Sequence, residues 1–241
     1  GKLLSKLTKK TVVYNFREND LKKGGHGAPL TPIFHKLLAS EKKIDLPAAI
    51  LNIGGIANLT LLNDQNSISS SDIGPGNCLI DKWVRMNSKK KYDENGEIAK
   101  LGKVNKIILD QALENFFNND ISKNRSYDTM DFDLSFVRGL SLEDGAATLT
   151  HFTAEILSKQ IPNSKIFLCG GGRKNKYLIK NIQKNIKGEI KLIDDIGVDG
   201  DFVESQAFAY LAIRSCLNLP ISFPETTGVK LACTGGVIVK Y

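Results

Sequence analysis

The sequence predicts an α/β chain in which strands alternate with helices. Short apolar runs of strand length, such as the two halves of residues 48–62 and residues 166–169, are separated by longer stretches with apolar residues at helical spacing, such as residues 142–157. Glycine-rich turns also follow or interrupt the predicted strands at five places. These turns are residues 24–27, 52–55, 72–77, 169–172 and 234–236.

The composition limits the classes of protein that the chain can belong to. Its 241 residues are 41% hydrophobic and 24% charged, which suits one large domain or two small ones and excludes a disordered, collagen-like or coiled-coil chain. Lys and Arg number 33 against 26 Asp and Glu, a formal net charge of +7, but the lysines form short clusters with polar and acidic residues among them. Aromatic residues are only 7%. We therefore expect a solvated basic surface and no nucleic-acid partner.

The cysteines and the N-terminus bear on the compartment. The four cysteines include no CxxC pair and are too scattered for a disulfide framework, so we expect them to be reduced and the protein to be cytoplasmic. We find no signal peptide and no run of 18 apolar residues, so we expect no membrane span. The chain begins at Gly1 without an initiator Met, and we expect it to be a piece of a longer chain.

The first elements are a helix and three strands. Residues 1–10 have the pattern of a short helix, and residues 11–16 (TVVYNF) predict a strand. Residues 48–62 (AAILNIGGIANLTLL) predict a strand, a tight turn at Gly54 and Gly55, and a second strand.

The next elements are a turn and two helices. Residues 71–76 predict a short extended segment and a glycine-rich turn, after which apolar residues at helical spacing predict a helix that begins at Gly76 or Asn77. Residues 98–117 predict one amphipathic helix despite Gly102 near its start.

The remaining elements complete the alternation. Residues 142–157 predict a helix with Asp144 near its N-terminal end, where a carboxylate suits the helix dipole. Residues 166–182 predict a strand, a turn of three glycines and a helix. Residues 204–217 predict a further helix, and residues 231–241 predict a glycine turn that enters a last strand.

Five glycine turns beside strand ends are typical of a backbone that surrounds phosphates and a sugar from several sides. We therefore favour nucleotide or phosphosugar binding over the alternative, a loop-rich scaffold. The sequence has neither a GxxxxGKS/T P-loop nor a GxGxxG fingerprint, so it does not support nucleotide binding by a P-loop or by a Rossmann fold.

Seven blocks in the chain carry a resemblance to a known family. They are FRENDLKKGGHGAPLTPIFH at 16–35, LNIGGIANLTLL at 51–62, DIGPGNCLID at 72–81, EDGAATLTHFTAEI at 143–156, CGGGRKN at 169–175, ESQAFAYLAIR at 204–214 and TTG at 226–228. In this order they resemble the motif series of the anhydro-N-acetylmuramic acid kinase family. The resemblance covers nearly the whole chain and is weakest over residues 118–132, where the family has a segment of Pro-Lys-Ser-Thr-Gly-Arg type.

The resemblance implies an actin-like (RNase H-like) ATPase lobe, with a mixed sheet flanked by helices. It would be the second lobe of a two-lobed kinase in the sugar kinase, heat-shock protein and actin superfamily. Family members begin with a Gly-Thr-Ser-Asp-Gly type phosphate loop, which this sequence lacks. We therefore expect residues 1–47 to be the tail of the N-terminal lobe and the lobe junction. Residues 48–241 would form the C-terminal lobe, except that the last strand could belong to the N-terminal lobe.

The reaction that the resemblance implies consumes ATP and water. Water opens the 1,6-anhydro bridge of the sugar at C1 while O6 takes the γ-phosphoryl of ATP, which gives N-acetylmuramic acid 6-phosphate and ADP in peptidoglycan recycling. A carboxylate must take a proton from the water, and a metal must neutralise phosphate charge. The three histidines are far apart in sequence, so we expect no metal site in the chain and Mg²⁺ that arrives with ATP.

Two carboxylates match the family's sugar-side residues. Asp72, which opens DIGPGN, matches the general base; without the resemblance it would be a turn-capping Asp. Glu204, which opens ESQAFA, matches a residue that binds the sugar and the attacking water; in isolation it would be a Glu that favours a helix N-terminus. Arg17 and Asp20 match a motif at the lobe junction, where they would either contact substrate or form a salt bridge.

Two glycine turns match the family's nucleotide-binding segments. Asn52, Gly54 and Gly55 resemble the second phosphate loop, whose N–H groups would face the β and γ phosphates of ATP. The family's turn on the nucleoside side of ATP is matched by a second set, which is Gly170, Gly171, Gly172 and Asn175.

Alternatives to the kinase remain open at this point. The chain could be a non-catalytic lobe that binds sugar or nucleotide, or a related sugar kinase whose different acceptor is selected by residues 118–132. Because the first phosphate loop is absent from the sequence, we expect the chain on its own to be inactive or nearly so. Family members tend to pair, which makes a homodimer a further expectation.

Overall fold

The computed structural model describes residues 1–64, 67–118 and 126–241. Strands and helices alternate along the chain, so the predicted α/β class is confirmed. The strands are β1 (Val12–Tyr14), β2 (Ala48–Ile53), β3 (Ile56–Leu62), β4 (Ile68–Pro75), β5 (Lys165–Cys169), β6 (Ile190–Leu192) and β7 (Val237–Val239). The helices are α1 (Lys2–Thr8), α2 (Glu18–Lys22), α3 (Pro32–Glu41), α4 (Cys78–Asn87), α5 (Glu97–Leu101), α6 (Lys106–Asn118), α7 (Leu142–Gln160), α8 (Lys176–Asn185), α9 (Val203–Cys216) and α10 (Pro224–Thr227).

A five-stranded sheet has the order β4-β3-β2-β5-β6. The central strand β2 pairs in parallel with β5, and β5 pairs in parallel with β6. Every residue of β2 except Asn52 is buried, which explains its continuous apolar sequence, since a central strand is covered on both faces. The register places Asn52 beside Cys169, so the carboxyl ends of β2 and β5 meet at one edge of the sheet.

Helix α7 packs against α4, α5, α6 and α8. It begins beside Ser141, whose hydroxyl accepts a hydrogen bond from the Asp144 N–H at 3.1 Å and so satisfies one free donor of the first turn. Leu149 and Ile156 of α7 are fully buried in a core that includes Trp83 of α4. Among the described residues, no helix has both the length and the apolar character needed to cross a membrane.

The expectation of one helix over residues 98–117 is wrong, because two helices, α5 and α6, occupy this stretch. Between them, Gly102 has an extended backbone (φ −84°, ψ 165°) and lies so close to the Glu143 carbonyl that a Cβ would overlap it. The next N–H, that of Lys103, donates to the Asp144 carboxylate at 2.7 Å. Contacts with the start of α7 therefore interrupt a sequence whose apolar periodicity alone would continue the helix.

The chain divides into two compact units. The first consists of Gly1–Pro47, Thr60–Ser71 and Phe202–Tyr241, and the second of Ala48–Leu59 and Asp72–Asp201. Residues 202–241, which we expected in the second lobe apart from the last strand, thus cluster with the N-terminal residues. How the whole protein divides into lobes stays a prediction.

The first unit has its own small sheet and core. Strand β1 pairs antiparallel with β7, and Val13 is opposite Ile238. A buried cluster joins Leu30, Leu211 and Ile221.

Candidate active site

Two glycine-rich turns follow neighbouring strands of the five-stranded sheet. Because Asn52 is paired with Cys169, the turn at Gly54 and Gly55 after β2 and the turn that begins at Gly170 after β5 leave the same edge. The carboxyl ends of parallel strands are where ligands bind in open α/β sheets. The fold therefore brings the two turns expected to bind nucleotide to one place.

Gly170 has a backbone conformation that is nearly restricted to glycine, with φ 77° and ψ 171°. A Cβ on this residue would overlap Oδ1 of Asn52 and would lie 2.8 Å from the carbonyl oxygen of Ile53. The turn of residues 170–172 can therefore lie against the end of β2 only because Gly170 has no side chain. Close approach of this kind is typical of glycine turns whose backbone binds phosphate or nucleoside groups.

The turn at Gly54 and Gly55 is held by the residues that follow β4. The carbonyl oxygen of Gly55 accepts hydrogen bonds from the N–H groups of Gly76 at 2.9 Å and Cys78 at 3.2 Å. The carbonyl oxygen of Gly54 accepts one from the N–H of Asn77 at 2.8 Å. These bonds fix the turn against the start of α4.

Asp72 is a half-buried residue near the end of β4. Its Oδ2 accepts hydrogen bonds from the Ser126 hydroxyl and from the Tyr127 backbone N–H, both at 2.9 Å. Two donors on one oxygen fix the orientation of the carboxylate, as a catalytic group requires. The geometry therefore suits an ionised carboxylate that accepts a proton.

Ser126 and Tyr127 were not singled out from the sequence. They lie 54 and 55 positions from Asp72, inside the segment 118–132 where the resemblance is weakest. The serine in the family's corresponding segment is the signal that could have indicated Ser126. Residues 119–125 of the same segment lie outside the described residues.

Asn175 is buried at the start of α8. Its side-chain oxygen accepts a hydrogen bond from the Leu178 N–H at 3.0 Å and so caps the helix that follows the glycine turn. The structure thus gives Asn175 a local role, and its nucleoside contact stays a prediction.

Arg17 and Asp20 both bind the glycine-rich loop near residue 27 in the first unit. The buried Asp20 carboxylate accepts hydrogen bonds from the Gly27 N–H and the Thr227 hydroxyl, both at 2.6 Å. The Arg17 Nε donates to the Gly27 carbonyl oxygen at 3.0 Å. These contacts suit a residue pair that fixes a loop, and direct contact with substrate stays a prediction.

Glu204 lies in the first turn of α9 and is exposed to solvent. It belongs to the first unit, whereas Asp72 and both glycine turns belong to the second. An exposed carboxylate at a helix N-terminus is favoured by the dipole and is available to hydrogen-bond a ligand.

Burial suppresses ionisation at the start of α4. It raises the pKa of the Cys78 thiol to about 11, so this cysteine stays protonated near neutral pH and is a poor nucleophile. Burial also raises the pKa of Asp81 to about 6, although the nearby Arg85 opposes the shift. Within the described ranges, no three His, Cys, Asp or Glu side chains come together as a metal site.

Comparison with known proteins assigns the family. A family model described as anhydro-N-acetylmuramic acid kinase matches residues 1–241. The chain belongs to the anhydro-N-acetylmuramic acid kinase family. A family relative of that name from Pelagibacter ubique (strain HTCC1062) is 56% identical over 253 residues, which cover 100% of this chain and 68% of the relative. Another family relative of that name, from Zymomonas mobilis subsp. mobilis (strain ATCC 31821 / ZM4 / CP4), is 43% identical over 244 residues, which cover 99% of this chain and 66% of the relative.

The chain therefore spans about two thirds of the length of the curated relatives it matches. Among solved structures, the activator of the 2-hydroxyisocaproyl-CoA dehydratase from Clostridium difficile with bound ADPNP is similar at a TM-score of 0.42 and 18% identity, over 74% of this chain and 69% of that one.

Proposed function

We propose that the protein carrying this chain is an ATP-dependent kinase that converts 1,6-anhydro-N-acetylmuramic acid and water to N-acetylmuramic acid 6-phosphate, in the cytoplasmic recycling of peptidoglycan. Membership of the family supports this assignment. The observation that carries the chemistry is the carboxylate of Asp72, which two hydrogen-bond donors hold near the end of β4.

In this proposal Asp72 is the general base. As water attacks C1 of the sugar, its proton passes to the Asp72 carboxylate, and the bond between C1 and O6 breaks. The oxygen O6 forms a bond to the γ-phosphorus of ATP, and the bond from that phosphorus to the β-phosphate oxygen breaks to release ADP. Asp72 then loses its proton to solvent. Glu204, whose carboxylate is exposed, would bind the sugar and orient the water.

The nucleotide would bind the two glycine turns. Backbone N–H groups at Gly54 and Gly55, with Asn52, would face the β and γ phosphates, and residues 170–172 with Asn175 would contact the nucleoside. The close approach of Gly170 to the end of β2 supports this placement. Mg²⁺ bound to the phosphates would neutralise their charge. It would arrive with ATP, because Mg²⁺ is usually bound through substrate phosphates and not by a dedicated protein cage.

Asp72→Asn tests the role of the base. In the full-length gene product, this variant should bind ATP as the wild type does and lose turnover, because the amide cannot accept the proton. Asp110→Asn is the matched control, since Asp110 is an exposed carboxylate on α6. Turnover by Asp72→Asn at the rate of the control would remove Asp72 from this role.

A related sugar kinase with another acceptor is the second candidate. It is favoured by one observation: Ser126 and Tyr127, which contact Asp72, come from the segment where the chain departs from the family. Assays with N-acetylmuramic acid, N-acetylglucosamine and the anhydro sugar as acceptors decide between them. Turnover only with an acceptor other than the anhydro sugar would overturn the first proposal, and absence of turnover with all of them would favour a non-catalytic lobe.

A further inference from the structure

Arg173 follows the three glycines of the second turn, and its side chain is buried although it carries a charge. Its side chain is only 5% exposed. The Nη1 atom donates a hydrogen bond to the carbonyl oxygen of Gly170 at 3.1 Å, and the backbone N–H of Arg173 reaches the same oxygen at 3.3 Å. Arg173 therefore donates two hydrogen bonds to Gly170, the residue of the turn whose conformation is nearly restricted to glycine.

Two aspartates bind the other guanidinium donors. Asp194 accepts hydrogen bonds from Nε at 2.8 Å and from Nη2 at 3.1 Å, which is the bidentate geometry of an Arg–carboxylate pair. Asp201 accepts one from Nη1 at 2.8 Å. Oδ1 of Asp194 also accepts the N–H of Gly200 at 3.2 Å, so the loop that carries both aspartates is fixed to the same guanidinium.

The charges of this cluster persist at neutral pH. Hydrogen bonds from Arg173 hold the pKa of Asp194 below its usual value. Those from Arg173 and Lys174 lower the pKa of Asp201 to about 2. The guanidinium pKa is raised mainly by its bonds to Asp194. The network is thus a permanent set of charge-assisted bonds.

We propose that Arg173 is a positioning residue for nucleotide binding, which holds the Gly170 carbonyl and thereby keeps the N–H groups of residues 170–172 in the conformation that a bound nucleotide needs. This inference rests on the proposed function, since it takes the turn as the nucleoside-side segment. Glycine has access to more backbone conformations than any other residue, so this conformation of Gly170 persists only where surrounding contacts select it. Arg173 with its two aspartates supplies such contacts from inside the protein.

The geometry also distinguishes Arg from Lys at this position. Three guanidinium nitrogens are used at once, toward Gly170, Asp194 and Asp201. A lysine ammonium is a single point charge and cannot reproduce this planar fork. Arg173→Lys should therefore keep the positive charge but lose the guanidinium hydrogen bonds that fix Gly170 and the turn.

The test compares ADP binding by Arg173→Gln, Arg173→Lys and Asp201→Asn in the full-length gene product by calorimetry, with circular dichroism and thermal unfolding of each. We expect the Kd for ADP to rise about tenfold in Arg173→Gln, which loses the charge-assisted contacts of the guanidinium. In Arg173→Lys, which keeps the charge, we expect a rise of about threefold. Asp201→Asn should raise the Kd about twofold, because Asp194 retains its bidentate pair. If Arg173→Gln does not fold, the other two variants provide the test.

Steady-state kinetics separates positioning from mere stability. The KM for ATP should rise in the Arg173 variants while the KM for the sugar and kcat at saturating ATP stay unchanged. Lys174→Gln is the matched control, since Lys174 also pairs with Asp201 but is exposed. Its Kd for ADP should stay that of the wild type. A lower Tm with an unchanged Kd for ADP in both Arg173 variants would overturn the inference and leave the proposed function intact. A folded wild type that binds no ADP would overturn both.

Discussion

Ser126→Ala removes one of two described donors to the carboxylate of Asp72. The hydroxyl lies 2.9 Å from Oδ2, and the Tyr127 N–H at the same distance is untouched by the change. A hydrogen bond to a charged group contributes about 1.5–3 kcal/mol. At about 1.4 kcal/mol for each factor of ten in rate, complete loss of its effect would lower kcat roughly 10- to 150-fold. Because the second donor remains, we expect the lower end, about tenfold.

The assay is ADP release by the full-length gene product with ATP, Mg²⁺ and the anhydro sugar, which yields kcat and both KM values. The KM for ATP should not change, since the predicted nucleotide turns do not include Ser126. Ser126→Thr keeps a hydroxyl and should restore most of the rate. Ser135→Ala is the matched control, an exposed serine in the same region. A kcat for Ser126→Ala equal to that of the control would refute the idea that this hydroxyl orients Asp72.

Three further outcomes follow from the structure. Gly170→Ala should raise the Kd for ADP about tenfold or more in calorimetry, because its Cβ would overlap Asn52 Oδ1 at a positive φ that costs about 1–3 kcal/mol, and an unchanged Kd would contradict the close approach of this turn to the end of β2. Gly145→Ala should destabilise the fold by about 1–3 kcal/mol in urea unfolding, since its Cβ would overlap the Trp83 ring, and an unchanged midpoint would contradict the close packing of α7 on α4. Burial lowers the pKa of His35 to about 4, so the unfolded chain takes up a proton first as the pH falls below about 6.5. The free energy of unfolding should therefore fall by roughly 3 kcal/mol between pH 6.5 and pH 4. His35→Gln should show a shallower loss between about pH 7 and 4.5.

Local pattern was enough to predict most elements of the fold. The continuous apolar run of residues 48–62, interrupted by Gly54 and Gly55, predicts two strands and a turn, and β2 and β3 occupy those positions. The break at Gly102 could not be predicted, because its cause is the Glu143 carbonyl, far away in sequence. Apolar periodicity records which face is buried but not where another segment displaces helical hydrogen bonds.

The candidate site shows the same limit. The motifs locate Asp72 and the glycine turns, whose neighbouring strands then bring the turns together. The sequence could not show that Ser126 binds Asp72, because the two residues are 54 positions apart and Ser126 lies in a segment without a clear motif. Nor could it show that Arg173 is bound by Asp194, since the motif CGGGRKN does not reveal a partner 21 positions further along.

A kinase of this family's kind would add both water and a phosphoryl group to the anhydro sugar. The most direct measurement is the mass of the sugar product after incubation of the full-length gene product with ATP and Mg²⁺ in ¹⁸O-water. We expect a product that has gained one phosphoryl group at O6 and one ¹⁸O atom at C1, with one ADP released for each. A phosphorylated sugar that retains its anhydro bridge, or ADP release without a phosphorylated sugar, would contradict it.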